Sequence, residues 1–376
     1  MLGLIVNPVA GVGGPAGLAG SDGADVQRSA LERGASARAS QRAALALTGL
    51  PAGTSVLTAA GTMGEDAVRD AGLSASVVYA PGSPTTSADT SAAAQALAEA
   101  GATLILFAGG DGTARDVAAG LIPHEEVAAL GIPAGVKMYS PVFAVSPRAA
   151  GGLAAAWLDG GLPVQEREVL DIDEAAMRRA RVEPRLYAML PVPYRAGRTQ
   201  ARKAATPVDE RDAAATAARG AASLLRPGVR YLLGPGGTMA ELARALGVEK
   251  TPLGVDVVLD GRIVCAGASE QQLLAEIAQG PAQAVVSVIG GQGFLLGRGN
   301  QQLSARVLRA LRPEPLIVVA PDSKLIDLHG RPLLVDTGDP DVDAALAGYV
   351  RVVTGVGASS LYPVHAPELL EENHAS

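Results

Sequence analysis

Leu104-Ile105-Leu106-Phe107-Ala108-Gly109-Gly110-Asp111-Gly112-Thr113-Ala114-Arg115-Asp116 decides how this chain folds. The apolar run reads as a buried strand. It stops at three glycines that flank one aspartate. Thr113 and Asp116 then predict the start of a helix, as cap and cap partner. Strand-to-helix turns of this kind bind phosphate through backbone N–H groups and the helix dipole. An acid placed there repels phosphate unless a metal or a reacting hydroxyl needs it. The combination points to phosphoryl transfer, with Asp111 accepting a proton from an attacking hydroxyl or holding Mg²⁺ through water. A turn in which the carboxylate only bonds local N–H groups is the alternative.

The same design recurs at Tyr231-Leu232-Leu233-Gly234-Pro235-Gly236-Gly237-Thr238-Met239-Ala240-Glu241. Laid over the first, it sets Gly236 opposite Asp111, so the turn is expected to form without the acid. Asp116 and Glu241 read equally well as first-turn acids that complement the helix dipole.

Working outward, strands and helices alternate on both sides. Strands are expected at 3–6, 55–58, 76–79 and 103–107, and helices at 24–47, 64–71 and 86–100. That alternation predicts an α/β fold, with a Rossmann-like parallel sheet over residues 1–160. Ligands in such sheets sit at the C-terminal strand ends. Asn7-Pro8, with Gly11, Gly13 and Gly14, follows the first strand and falls on the edge that carries Asp111.

The loop after the aspartate helix holds Lys137, Tyr139 and Ser140, suited to a phosphate or nucleotide pocket or to a plain surface loop. A crossover near Gly160-Gly161 opens a second mixed α/β domain, 161–376, rich in strands, whose last segment is expected to pack back on the first domain. There the expected strands are 169–172, 185–190, 231–233, 284–289, 316–320, 333–336 and, last, 349–353. Helices are expected at 146–158, 209–225, 271–279 and 301–311, with a hairpin around Asp260-Gly261. Arg195 to Pro207 reads as a mobile basic loop, and the chain after Pro363 as frayed. Gly290-Gly291-Gln292-Gly293 and Arg298-Gly299-Asn300 read as ligand-contact turns, Arg298 facing phosphate. Asn300 serves equally well as a helix cap.

Composition bounds the rest. The chain has 376 residues, 48% hydrophobic, with a formal net charge of −7. The acidic balance and 3% aromatics argue against a nucleic-acid partner. No apolar run is long enough to span a bilayer, so no membrane partner is expected. Cys265 is the one cysteine, which excludes an internal disulfide and suits a cytoplasmic location. The four histidines show no ligand spacing.

These residues resemble a known family. Asn7-Pro8…Gly11 and the Gly-Gly-Asp-Gly-Thr loop at 109–113 resemble the superfamily of NAD kinases and diacylglycerol kinases. Gly131-Ile132-Pro133-Ala134-Gly135, Leu253-Gly254-Val255-Asp256, Ile289-Gly290-Gly291-Gln292-Gly293-Phe294, Gly297-Arg298-Gly299-Asn300 and Val335-Asp336-Thr337-Gly338-Asp339 narrow the likeness. Together they are similar to an ATP-NAD kinase-like branch that includes the acetoin-catabolism X proteins.

The resemblance implies a cytoplasmic, homo-oligomeric kinase that uses ATP and Mg²⁺ and phosphorylates NAD(H) or a related nucleotide. Asp111 would deprotonate or orient a ribose hydroxyl. Asn7, Pro8, Gly11, Gly13, Gly14, Gly109, Gly110, Gly112, Thr113, Asp116, Lys137, Tyr139, Ser140, Gly236, Gly237, Thr238, Asp256, Gly291, Gln292, Arg298 and Asn300 would contact nucleotide or phosphate. Two departures bear on the acceptor. The Ser/Thr-rich glycine loop that NAD kinases carry in the second domain is replaced here, with Gly236-Gly237-Thr238 as the candidate in its place. NAD kinases usually follow the aspartate helix with an Asn-Glu pair that reads ribose and nicotinamide, and this chain lacks it. A kinase for another small alcohol and a nucleotide sensor without turnover therefore stay open.

Overall fold

The computed structural model describes residues 1–16, 38–135, 138–171, 185–195, 197–200, 210–311 and 313–367. The chain divides into two compact units, Met1–Gly11 with Ala37–Arg202, and Val12–Ser36 with Lys203–Ser376.

The first unit is built on five parallel strands: β1 (Leu2–Val6), β2 (Ser55–Ala59), β3 (Ser74–Tyr79), β4 (Leu104–Gly109) and β5 (Ala128–Pro133). Their order is β3-β2-β1-β4-β5. Every residue of β1, β4 and β5 is buried, whereas edge strand β3 is largely exposed. Burial on both faces explains why β1 and β4 read as continuous apolar runs. Helices α1 (Ala39–Leu47), α2 (Glu65–Asp70), α3 (Ser87–Glu99), α4 (Asp111–Gly120) and α5 (Pro147–Leu158) complete the layers.

The chain leaves β1 toward β2 on one side and leaves β4 toward β5 on the other. The crevice between the C-terminal ends of β1 and β4 is therefore the topological switch point, where open α/β sheets bind ligands.

An antiparallel pair, β6 (Val164–Asp171) and β7 (Arg185–Pro193), belongs to this unit too. The unit runs on to residue 202, past the crossover expected near 160, because this pair packs on α4 and β5.

The second unit carries a nine-stranded mixed sheet, ordered β10-β9-β8-β11-β13-β15-β16-β14-β12. Its strands are β8 (Arg230–Leu233), β9 (Asp256–Leu259), β10 (Arg262–Cys265), β11 (Ala282–Val286), β12 (Phe294–Leu296), β13 (Leu316–Val319), β14 (Leu333–Val335), β15 (Gly348–Gly355) and β16 (Ala358–His365). Neighbours β8, β11, β13 and β15 are mutually parallel. Leu232, Val286 and Val318 join one apolar cluster, while Leu233, Val285 and Val319 join another. Consecutive residues of a strand point to opposite faces, so both faces of this sheet are covered. Among the described residues the helices are α6 (Glu210–Ala222), α7 (Gly237–Ala245), α8 (Glu270–Ile277), α9 (Ala305–Ala310), α10 (Asp322–Ile326) and α11 (Pro340–Leu346).

Strand β15 is not the last. The turn at 356–357 leads into β16, which pairs with β15 antiparallel and with β14 parallel, so Val364 and His365 are strand rather than frayed tail. Strand β5 and the short β12, α10 and α11 were not expected from the sequence. Residues 24–37 of the expected first helix, Ile172 and the tail beyond 367 lie outside the described residues. Among the described residues, no helix is long and apolar enough to cross a membrane.

Candidate active site

Three turns meet at the switch point of the first unit. Asn7 follows β1, and its backbone N–H donates to the Ala108 carbonyl at 3.0 Å. Its side-chain Nδ2 donates to Thr113 Oγ1 at 3.0 Å, and its Oδ1 accepts from the Val9 N–H at 3.2 Å. The Gly109 carbonyl accepts from the N–H groups of Ala134, at 3.0 Å, and Gly135, at 2.8 Å. Arg42 Nε on α1 donates to the Pro133 carbonyl. The glycine–aspartate loop is thus fastened on both sides.

Helix α4 begins at Asp111 with Gly110 as its N-cap, in an extended conformation. Thr113 is therefore not the cap expected of it. It is the third residue of the first turn, buried, with its hydroxyl bonded to Asn7. Asp116 lies beyond the first turn and pairs with Arg115 at 3.3 Å. The second glycine turn differs in the same way. Gly236 is the N-cap of α7 with φ 106°, a left-handed conformation that favours glycine. Glu241 is not in the first turn and pairs with Arg244. Matching the caps sets Gly237, not Gly236, opposite Asp111. The second turn still carries no acid there.

Asp111 is buried, 9% exposed. Its Oδ2 accepts from the Tyr139 N–H at 2.7 Å and its Oδ1 from the Ser140 N–H at 3.0 Å. The bland reading, a carboxylate bonded to backbone N–H groups, is therefore part of the truth, though the partners are 28 and 29 residues away rather than local. Ser140 is fully buried, and its hydroxyl accepts from the Leu170 N–H at 2.9 Å and donates to the Leu170 carbonyl at 3.1 Å. The hydroxyl thus ties the loop to β6. The Tyr139 phenol is pushed up to about 12 by burial and by the Asp111 charge, so it keeps its proton at neutral pH. Lys137 lies outside the described residues.

Gly11 has φ 80°, and a Cβ there would stand 2.2 Å from the Ala134 carbonyl oxygen. Gly11→Ala therefore meets both backbone strain and a backbone clash. We expect a loss of roughly 1–3 kcal/mol, read by urea denaturation. A variant as stable as the parent would show that the turn yields freely. Gly112, in contrast, faces open space, leaving room for a ligand's approach. Gly13 and Gly14 are buried and belong to the second unit.

In the second unit, several expected contact residues are engaged with their own chain. Asp256 is fully buried and accepts from Thr251 N, Thr251 Oγ1 and Gly267 N, each at 2.6 Å. Lys250 stands 3.8 Å from it, and burial lowers the lysine to about 8 against the raising effect of Asp256. Arg298 pairs with Asp336 at 2.8 Å and lies 4.1 Å over the Phe294 ring. Asn300 accepts from Gly297 N at 3.0 Å and donates to the Leu295 carbonyl at 2.7 Å, bracing that turn rather than capping a helix. The helix there starts only at Ala305, capped by Ser304. Gln292 is buried. Asp256, Arg298 and Asn300 thus act as internal braces in this structure. Arg42 and Lys324 were missed by the sequence reading; the backbone and hydroxyl groups they bond, Pro133, Thr238 and Val288 among them, are remote in sequence.

Among the described residues, no group of three or more His, Cys, Asp or Glu side chains could hold a metal ion. A magnesium ion here would fit as Mg²⁺ usually does, held by substrate phosphates with one or two carboxylates. Asp111 is the acid that the switch point offers.

A parallel sheet with glycine turns and one carboxylate at its switch point is the arrangement from which phosphoryl transfer was expected. Two family models match the chain: the ATP-NAD kinase N-terminal domain over residues 2–162 and the ATP-NAD kinase C-terminal domain over residues 226–364. The chain belongs to the ATP-NAD kinase family, and it is a phosphotransferase with an alcohol group as acceptor. Neither the curated proteins nor the solved structures gave a match. The narrower likeness to the acetoin-catabolism X proteins gains nothing from these matches.

Proposed function

We propose that the protein phosphorylates a ribose hydroxyl of NAD(H) or a related nucleotide, with ATP as donor and Mg²⁺ on the phosphates. The placing of Asp111 at the switch point of the first unit carries the reading. Its two carboxylate oxygens each accept one backbone N–H, from Tyr139 and Ser140. Held so, the carboxylate orients an incoming hydroxyl and takes up its proton as that oxygen bonds the γ-phosphorus of ATP and the bond from the γ-phosphorus to the β-phosphate oxygen breaks, releasing ADP. The Asn7 turn and Gly109, Gly110 and Gly112 give phosphate a backbone-lined approach along the α4 N-terminus. Magnesium, when bound with the phosphates, supplies charge neutralisation. The family reading also carries a cytoplasmic location and a homo-oligomeric state.

The absent Asn-Glu pair favours a second reading, transfer to a different nucleotide or small alcohol. Incubating the full chain with Mg²⁺, ATP or inorganic polyphosphate, and a panel of NAD, NADH, nucleosides and small alcohols separates the two by mass spectrometry of the products. We expect a singly phosphorylated NAD or NADH. Transfer only to another alcohol would replace NAD as acceptor. Nucleotide binding with no transfer to any hydroxyl would overturn the kinase reading in favour of a sensor.

A further inference from the structure

The second unit repeats, with different residues, part of the topology that makes the first unit's site: two parallel neighbours, β8 and β11, whose chains leave to opposite sides, although β9 runs antiparallel to β8. Strand β8 leads through α7 to β9 on one side. Its parallel neighbour β11 leads away to β12 and then β13 on the other. The C-terminal ends of β8 and β11 thus frame a second switch-point crevice. Gly234 to Thr238 follow β8, and Ser287 to Gly291 follow β11.

Lys324, on α10 after β13, sends its ammonium into this crevice. Its Nζ donates to Thr238 Oγ1 at 3.1 Å, to Ser287 Oγ at 3.4 Å and to the Val288 carbonyl at 3.2 Å. One cation so touches the turns after both strands that frame the crevice. A second, Arg331 Nη2, reaches the Gly291 carbonyl of the same loop at 3.0 Å. A Cβ at Gly236, Gly237 or Gly290 would meet nothing within 4 Å, so the backbone there is open to approach. Thr238 and Ser287 hydroxyls can rotate from acceptor to donor when an anion arrives.

We infer that Lys324, with Thr238, Ser287 and the open glycines of both turns, forms a second anion site that takes a phosphate chain, either the triphosphate of a nucleotide or inorganic polyphosphate. A partly buried ammonium suits such a ligand as a point charge, and backbone N–H groups fill the remaining oxygens. The inference stands apart from the role given to Asp111.

The test is binding, without turnover. The full chain is titrated by calorimetry with inorganic tripolyphosphate and, separately, with ATP, and amide exchange is followed at residues 236–240. We expect bound ligand to slow exchange at 237–239. Protection by both ligands means that the phosphate chain alone suffices, and protection by ATP alone means that the nucleotide is required. Lys324→Met should weaken binding about tenfold or more at an unchanged melting temperature, while Lys324→Arg keeps most of it. Should Lys324→Met not fold, exchange in the parent decides. No protection of 237–239 by either ligand, or parental affinity in a folded Lys324→Met, overturns the site. Protection of 237–239 in a protein that transfers no phosphate would leave this inference standing while the kinase reading fell.

Discussion

Asp111→Asn lowers turnover by roughly 10²- to 10⁴-fold, the usual cost of losing a general base, while nucleotide binding survives. The amide has the carboxylate's shape but cannot take the hydroxyl's proton. It also removes one negative charge near the phosphates, so affinity holds or tightens. Comparison of the two glycine turns alone would leave stability untouched, because the second turn has no acid at the matching place. The hydrogen bonds of Asp111 change that expectation. The N–H groups of Tyr139 and Ser140 both point at its oxygens. An amide has one oxygen, so its NH₂ must face one of these donors. We expect about 1–3 kcal/mol of lost stability with the fold retained. The comparison is kcat, nucleotide Kd and melting temperature in parent and variant. Turnover that falls only in proportion to the folded fraction would reduce Asp111 to a loop clamp. Turnover at the parental rate would remove it from the chemistry.

Asp336→Asn should destabilise the second unit by about 3–5 kcal/mol, the largest stability effect we expect of any single substitution in this chain. The Arg298 and Asp336 side chains are 3% and 1% exposed and 2.8 Å apart. Removing the negative charge takes from a buried guanidinium, lying over the Phe294 ring, the carboxylate 2.8 Å away. Replacing both residues with apolar ones of similar volume should recover much of the loss, since the pair's own desolvation is costly. Urea denaturation reads both effects. The same variants decide what Arg298 is for. If it served phosphate, Asp336→Asn would free it and tighten binding with little loss of stability. A loss under about 1 kcal/mol together with tighter nucleotide binding would restore the role expected from sequence.

Much of the first unit was legible because its physics is local. Strands buried on both faces must be apolar throughout, so β1 and β4 announced themselves. The glycine turns lay where parallel strands end, which is where the candidate site was sought. What escaped depends on partners remote in sequence. Strand β5, Ala-Ala-Leu-Gly-Ile-Pro, is half alanine and glycine and ends on a proline, which reads as loop. Strand β16 contains Pro363 and exposed polar residues, and it is held by β14 and β15 rather than by its own propensity. Thr113 looked like a cap because threonine caps helices, but its hydroxyl bonds Asn7, 106 residues away. The basic loop from Arg195 was expected to move. Yet Gln200 N donates to the Phe143 carbonyl at 2.7 Å, and Val145 N to that of Arg198 at 2.9 Å, so 198–200 are pinned. Residues 201–207, with Arg202 and Lys203, lie outside the described residues.

The way the chain is shared between the two units bears on modularity. It begins in the first unit with β1, and by Pro15 its carbonyl is accepting from the Glu270 N–H of the second. It is back in the first unit at α1 and leaves it only after β7. Neither unit is therefore a contiguous stretch that a gene could lose, gain or exchange in one piece. A cut at residue 160 would strip β6 and β7 from the first unit, and with them the Leu170 backbone on which the Ser140 hydroxyl rests. Such a protein is inherited, and best dissected, by point substitution in the whole chain, because no linear fragment corresponds to half of it.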